Sequence, residues 1–231
     1  MGTKRYAQMC AVAASLDIVG ERWTLLIIRD LMTGPKRYNQ LLDETLVGIG
    51  PNLLAARLQM LTEAGIIARE TVSGDRRGVS YRLTPSGEAL RPVIIGLASW
   101  GLSHVASSES GGVVRAEWGR VALEAMVAVG PPPEVDEDYE FQIGSELFHV
   151  HCADGVARVV NGPVVGAAAL VVTADPETFI KVGTEQLGVL DAVLSGKVVI
   201  TGDTVALERC LRLLDLELTA KPAAGEVVDV S

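Results

Sequence analysis

CAVAASLDIVGERWTLLIIRDLMTGPKRYNQLLDETLVGIGPNLLAARLQMLTEAGIIAR, residues 10–69, decides the reading of this chain. Residues 9–19 are apolar at helical spacing and end at Gly20. Residues 21–32 predict a second amphipathic helix, with Trp23, Leu25, Leu26, Ile27, Ile28 and Leu31 on its apolar side. Thr33-Gly34-Pro35 stops it, and Tyr38–Glu44 reads as a short helix with Leu41 and Leu42 inward. The next helix opens at Pro51, a residue favoured in a first turn because its missing N–H has no partner there. Leu54, Leu58 and Leu61 recur at i, i+4 and i+7 and predict its buried stripe. Two helices with this spacing place the second in a DNA major groove.

The opposite side of that helix presents Asn52, Ala55, Ala56, Arg57 and Gln59. Asn and Gln can pair with adenine, Arg with guanine, and Ala can touch a thymine methyl. An ordinary solvated helix surface has a similar composition, so the flanking segments carry the argument. Residues 65–72 and 79–84 read as paired strands, and the turn 73–78 between them holds Arg76 and Arg77. A hairpin tipped by two arginines directly after such a helix is a wing suited to phosphate or minor-groove contact. Lys36 and Arg37, just ahead of the first helix of the pair, join the candidate DNA-binding set. Thr84–Glu88 begins a long apolar helix to about Val105, with Leu90, Val93, Ile94, Leu97 and Trp100 as its stripe. So much apolar surface outside a winged core predicts packing on another subunit.

Charge divides the chain in two. The net charge is −9 over 231 residues. Residues 1–105 carry 12 Lys/Arg against 9 Asp/Glu, and residues 106–231 carry 8 against 20. Polyanion affinity follows the local field, so the acidic total does not exclude DNA binding by the first half. The Gly/Ser-rich break Ser107–Gly112 predicts the boundary, with domains at 1–106 and 113–231. Hydrophobic content of 48% is ample for buried cores. The apolar runs Leu25–Ile28 and Val164–Val172 are too short for a bilayer span, and the N-terminus has no charged-then-apolar leader, so a cytoplasmic protein without membrane contact is expected. Cys10, Cys152 and Cys210 are too sparse for a disulfide framework.

In the second half, Val113–Val129 predicts a helix stopped by Gly130 and three prolines, followed by the acidic run Glu134–Glu140. Residues 139–143, 147–152 and 157–162 alternate like the strands of an antiparallel meander, and Ala167–Thr173 reads as a further strand. Asp175-Pro176 is a helix start, residues 185–194 a second helix, 196–203 a strand and 204–216 a last amphipathic helix. The fold class is α+β: a winged helix-turn-helix domain, then an α+β domain with a mainly antiparallel sheet. His149 and His151 share a strand face while Cys152 points away, and no second Cys/His cluster supplies ligands, so no metal and no cofactor are expected. There is no G-x-S-x-G elbow or phosphate-binding glycine loop, and no enzymatic role is assigned.

LDIVGERWTLLIIRDL, GPKRYNQL, GIGPNLLAARLQML and YRLTPSG, within roughly 8–105, resemble the HxlR-type winged-helix transcriptional regulators of bacteria and archaea. That resemblance implies a homodimer on double-stranded operator DNA with two half-sites. It also raises Cys10 as a redox candidate, because some of these regulators sense oxidants or electrophiles through a cysteine near this point. Lys4 and Arg5 stand close by in sequence, and a small apolar role inside a helix is the alternative. The meander, the DPETF helix start, the LSGK helix end and the VITGD turn, over roughly 115–220, resemble the sterol carrier protein type 2 family. This implies a small hydrophobic effector held in a cavity lined from Trp118, Phe141, Phe148, Phe179, Ile180 and Leu187. The combined expectation is a regulator that reads DNA with one domain and senses a ligand with the other. Two alternatives stand beside it: a Cys10 sensor whose second domain serves dimerisation, or a lipid carrier tethered to a DNA-binding module.

Overall fold

The computed structural model describes residues 6–71, 78–105 and 113–218. The chain divides into two compact units, Met1–Ile94 and Ile95–Ser231, and the division falls inside one helix. No helix among the described residues is long and apolar enough to cross a membrane.

The N-terminal unit begins with α1 (Ala11–Val19) and α2 (Thr24–Leu31). Sequence periodicity extends α2 back to Glu21, but Trp23 adopts φ +77°, a left-handed conformation that costs an L-residue roughly 1–2 kcal/mol and breaks the helix there. β1 (Lys36–Arg37) follows, then a wide helical turn over Gln40–Thr45 in which the Leu46 N–H donates to the Leu41 carbonyl, five residues back. α3 (Pro51–Glu63) starts at Pro51 after the extended Gly50. Its predicted stripe is the observed one: Leu54, Leu58 and Leu61 are buried. Ile27, Ile28, Leu31 and Leu41 are buried in the same unit.

β2 (Ile67–Thr71) and β3 (Val79–Leu83) pair antiparallel, with Ile67 opposite Leu83 and Thr71 opposite Val79. β1 adds on the other side of β3, Lys36 opposite Tyr81, giving the order β1-β3-β2. The predicted helix from Thr84 to Val105 is two pieces, α4 (Pro85–Glu88) and α5 (Arg91–Val105). Thr84 caps the first by accepting the Gly87 N–H, and its hydroxyl donates to the Gly65 carbonyl at 2.6 Å. Along α5, Val93, Leu97 and Trp100 are exposed at i, i+4 and i+7.

The C-terminal unit packs helices on one face of a five-stranded sheet. α6 (Trp118–Val129) begins five residues later than its apolar pattern suggested. It ends at Gly130, where a Cβ would lie 1.8 Å from the Leu213 carbonyl oxygen. β4 (Glu137–Ile143), β5 (Glu146–Ala153) and β6 (Val156–Asn161) form the predicted meander. β7 (Leu170–Ala174) then lies parallel to β4, and β8 (Val198–Gly202) antiparallel to β7. The order is β6-β5-β4-β7-β8, a mixed sheet with one parallel pairing. α7 (Pro176–Gly183), α8 (Val189–Leu194) and α9 (Thr204–Leu213) complete the unit. Asp175 caps α7 as its sequence demanded, accepting from the Thr178 N–H at 2.9 Å and the Thr178 hydroxyl at 2.6 Å.

Glu137 on β4 ties the sheet to α9. Its carboxylate accepts two N–H groups of Arg209, at 2.5 and 2.6 Å, and the hydroxyl of Tyr139. The Arg209 hydrogen bonds hold the Glu137 carboxyl below the usual carboxylate range, against the opposing effect of burial. A depressed folded-state pKa gives stability that is present above the unfolded value, about 4.3, and lost as pH falls through the lower folded value. Glu137→Gln is therefore expected to lower the thermal midpoint at pH 6 and to flatten its fall between pH 5 and 3. Parallel melting curves across that range check this, and an equal fall in both proteins would contradict it.

Candidate functional site

α3 is positioned from three directions. Its leucines are buried, and the helix packs on β2. The Tyr38 hydroxyl donates to the Pro51 carbonyl at 2.7 Å and fixes its first turn. The Glu21 carboxylate binds Arg57 at 2.7 Å, and the Arg57 Nε also donates to the Arg22 carbonyl at 3.3 Å. Asn52, Ala55, Ala56 and Gln59 are exposed on the side away from the leucines. Gln59 donates to Glu63 at 2.8 Å along the same helix. Arg57 is thus drawn to the turn before α2, a contact between residues far apart in sequence that periodicity cannot reveal.

Lys36 and Arg37 sit in β1, one strand away from β2, and the Arg37 N–H donates to the Gln40 side chain at 2.8 Å. Arg76 and Arg77 lie outside the described residues. β2 and β3, on either side of them in the chain, pair antiparallel. Trp23 was read from sequence only as a helix residue. Its ring lies 3.9 Å from where a Cβ of Gly48 would stand, in the turn before α3, and Arg22 lies over it at 5.4 Å.

Cys10 is the exposed residue immediately before α1. The backbone N–H groups of Ala13 and then Val12 pull its thiol below the ordinary value, although the sulfur makes no capping hydrogen bond. Lys4 and Arg5, the neighbours proposed to assist it, lie outside the described residues. Cys152 and Cys210 are buried in the C-terminal core, and burial raises both thiols, Cys152 to about 12. His149 bonds the Gly162 carbonyl at 2.9 Å and His151 bonds Asp138 at 2.7 Å. No group of three or more His, Cys, Asp or Glu suited to a metal is found among the described residues.

An apolar void of about 50 Å³ lies between the sheet and α6, α7 and α9 of the C-terminal unit. Phe141 and Phe179 line it, with Met126, Leu170, Val198 and Leu214. The other aromatic and aliphatic candidates are placed elsewhere. Phe148 is buried against Phe141 and Phe179, with ring centroids 6.2 and 6.5 Å away, but does not reach the void. Leu187 lines a neighbouring recess of about 80 Å³. Trp118 and Ile180 are half-buried and line none of these spaces. Beside Phe141 and Phe179, the void is lined by aliphatic residues such as Val172, Val182, Val189 and Leu207 that the sequence reading did not name.

The HxlR-like helix-turn-helix family profile matches residues 18–109. Rv3095 of Mycobacterium tuberculosis, an HTH-type transcriptional regulator, is 39% identical over 99 residues, covering 43% of this chain and 61% of that protein. The chain thus spans less than two thirds of the length of that mycobacterial relative. The HTH-type transcriptional regulator YodB of Bacillus subtilis is 36% identical over 93 residues, covering 40% of this chain and 82% of its own. The solved structure of PA1607, a transcription factor by description, aligns with 31% identity and a TM-score of 0.41, covering 48% of this chain and 75% of that one. The chain belongs to the HxlR-type helix-turn-helix transcriptional regulators.

Proposed function

We propose that this protein is a ligand-responsive transcriptional regulator. Its N-terminal unit binds double-stranded operator DNA as a homodimer, and its C-terminal unit senses a small hydrophobic molecule. The carrying observation is α3: three buried leucines hold the helix while Asn52, Ala55, Ala56 and Gln59 stay exposed on its outer side. Such a helix can enter a major groove without losing its own core contacts. The exposed Val93, Leu97 and Trp100 of α5 support dimerisation. The C-terminal order of helix, meander, strand, two helices, strand and helix supports a sterol-carrier-like domain, and the apolar void supports ligand sensing.

Base readout is assigned to Asn52 and Gln59, with Arg57 joining them on release from Glu21. Asn52→Ala is expected to lose about 5- to 150-fold on the preferred operator, the value of a bidentate base contact of about 1–3 kcal/mol, and less on random DNA. Fluorescence anisotropy on both DNAs tests this. Equal losses on the two would make Asn52 a positioning residue only. Arg76→Ala and Arg77→Ala should each lower the slope of log affinity against log salt by about one. Ligand sensing requires that the effector favour one DNA-binding state of the dimer over the other. The matching experiment titrates candidate apolar metabolites while reading both tryptophan fluorescence and operator affinity.

The exposure of Cys10 and its lowered thiol pKa favour a second reading, in which oxidation at Cys10 controls DNA release. Cys10→Ser would then abolish oxidant-induced loss of DNA binding. Retained sensitivity in that variant excludes this route.

A further inference from the structure

A cleft of about 360 Å³ opens on the C-terminal unit, and it shares Met126, Gly183, Leu214 and Leu216 with the apolar void. Those four residues therefore border both apolar spaces. The cleft lies within the range of about 300–1,000 Å³ usual for small-molecule sites, whereas the void alone does not. Gly183 packs directly on the Met126 side chain, since a Cβ there would lie 3.1 Å from the Met126 sulfur. Methionine is the most adaptable apolar side chain, so this is a contact that can rearrange.

The rim of the cleft has one sign of charge. Glu185 and Asp215 line it, and Glu185 with Glu217 lines the adjoining recess. All three carboxylates are exposed, and no Lys or Arg lines either space among the described residues. The neutral polar groups of the wall are already engaged. The Ser99 hydroxyl is satisfied by the Ile95 and Ala125 carbonyls at 3.0 and 2.9 Å, and that of Thr184 by Ile180 at 2.8 Å. A ligand entering here meets apolar walls below and carboxylates above. A carboxylate or phosphate headgroup would stand against them, while an ammonium would complement them.

We infer that the ligand of this site is an amphiphilic organic cation, with an apolar body in the cleft and void and an ammonium group between Glu185 and Asp215. This rests on the ligand-sensing reading given above and narrows its chemistry. Isothermal titration of the full-length protein with decyltrimethylammonium, 1-decanol and decanoate, all below micelle formation, tests it. The cation is expected to bind at least about tenfold more tightly than decanoate, the scale of a screened surface charge contact, with 1-decanol between them. Raising salt should weaken the cation alone. In the Glu185→Gln/Asp215→Asn double variant, whose side chains keep their shape at exposed positions, the gap should shrink to about threefold or less. Equal affinity for decanoate and the cation, or a gap unchanged in the double variant, would overturn the cation assignment and leave the apolar site standing. Failure of all three probes to bind would overturn the ligand-sensing reading and the inference with it.

Discussion

Phe141→Ala is expected to destabilise the C-terminal unit by about 3–5 kcal/mol. Phe141 is 2% exposed on the central strand β4. Its ring stacks near Phe148 and meets Phe179 edge-on, each at a centroid distance of 6.2 Å. Truncation removes the transfer energy of the ring and both aromatic contacts. It also enlarges a void that already exists beside it, so the walls have less material with which to close the gap. Urea unfolding followed by a C-terminal probe measures the loss. A cost below about 1.5 kcal/mol would mean that the neighbouring side chains collapse into the space, and that this region is softer than its packing suggests.

Leu58→Ala should act with comparable force in the other unit, at about 2–5 kcal/mol. Leu58 is 1% exposed at the middle of the α3 stripe. Losing it undermines the platform that presents Asn52 and Ala56, so operator binding should fall with stability. Ala56→Ser, on the exposed side of the same helix, should change stability by no more than about 0.5 kcal/mol. Hydrogen exchange of the α3 amides separates the cases. Faster exchange in the Leu58 variant and unchanged exchange in the Ala56 variant is the expected pair of results.

The α3 stripe, the β2–β3 hairpin and the Asp175 cap were legible because each is written in local spacing. Four features were not, and each depends on residues distant in the chain. β1 is two residues long and exists only because β3 offers an unpaired side. Trp23 ends a helical pattern that continues through it, since its conformation answers to the turn before α3 rather than to its sequence neighbours. Arg57 is drawn off the expected reading surface by Glu21, thirty-six residues earlier. The parallel pairing of β7 with β4 follows from the crossover after β6, where strand alternation carries no directional information. The candidate cavity shows the same limit. Phe141 and Phe179 are conspicuous in sequence and do line the void, but the valines and leucines that share it look like any other core residues.

Gly130 sets how the C-terminal unit can open. The end of α6 and the end of α9 meet there with no room for even one methyl group, since a Cβ would stand 1.8 Å from the Leu213 oxygen. Met126 and Leu214, on either side of that junction, are two walls of the void. The backbones that carry these walls are pinned like the two leaves of a closed clasp, while the Met126 side chain keeps its own rotamer freedom. Backbone expansion to admit the proposed ligand would come instead from the α7 side, at Gly183 and the segment that follows it. In a saturation library Gly130 should accept no substitution, while the exposed Pro131 and Pro132 beside it vary freely. Variants selected for larger effectors should accumulate across 183–189 and spare the clasp.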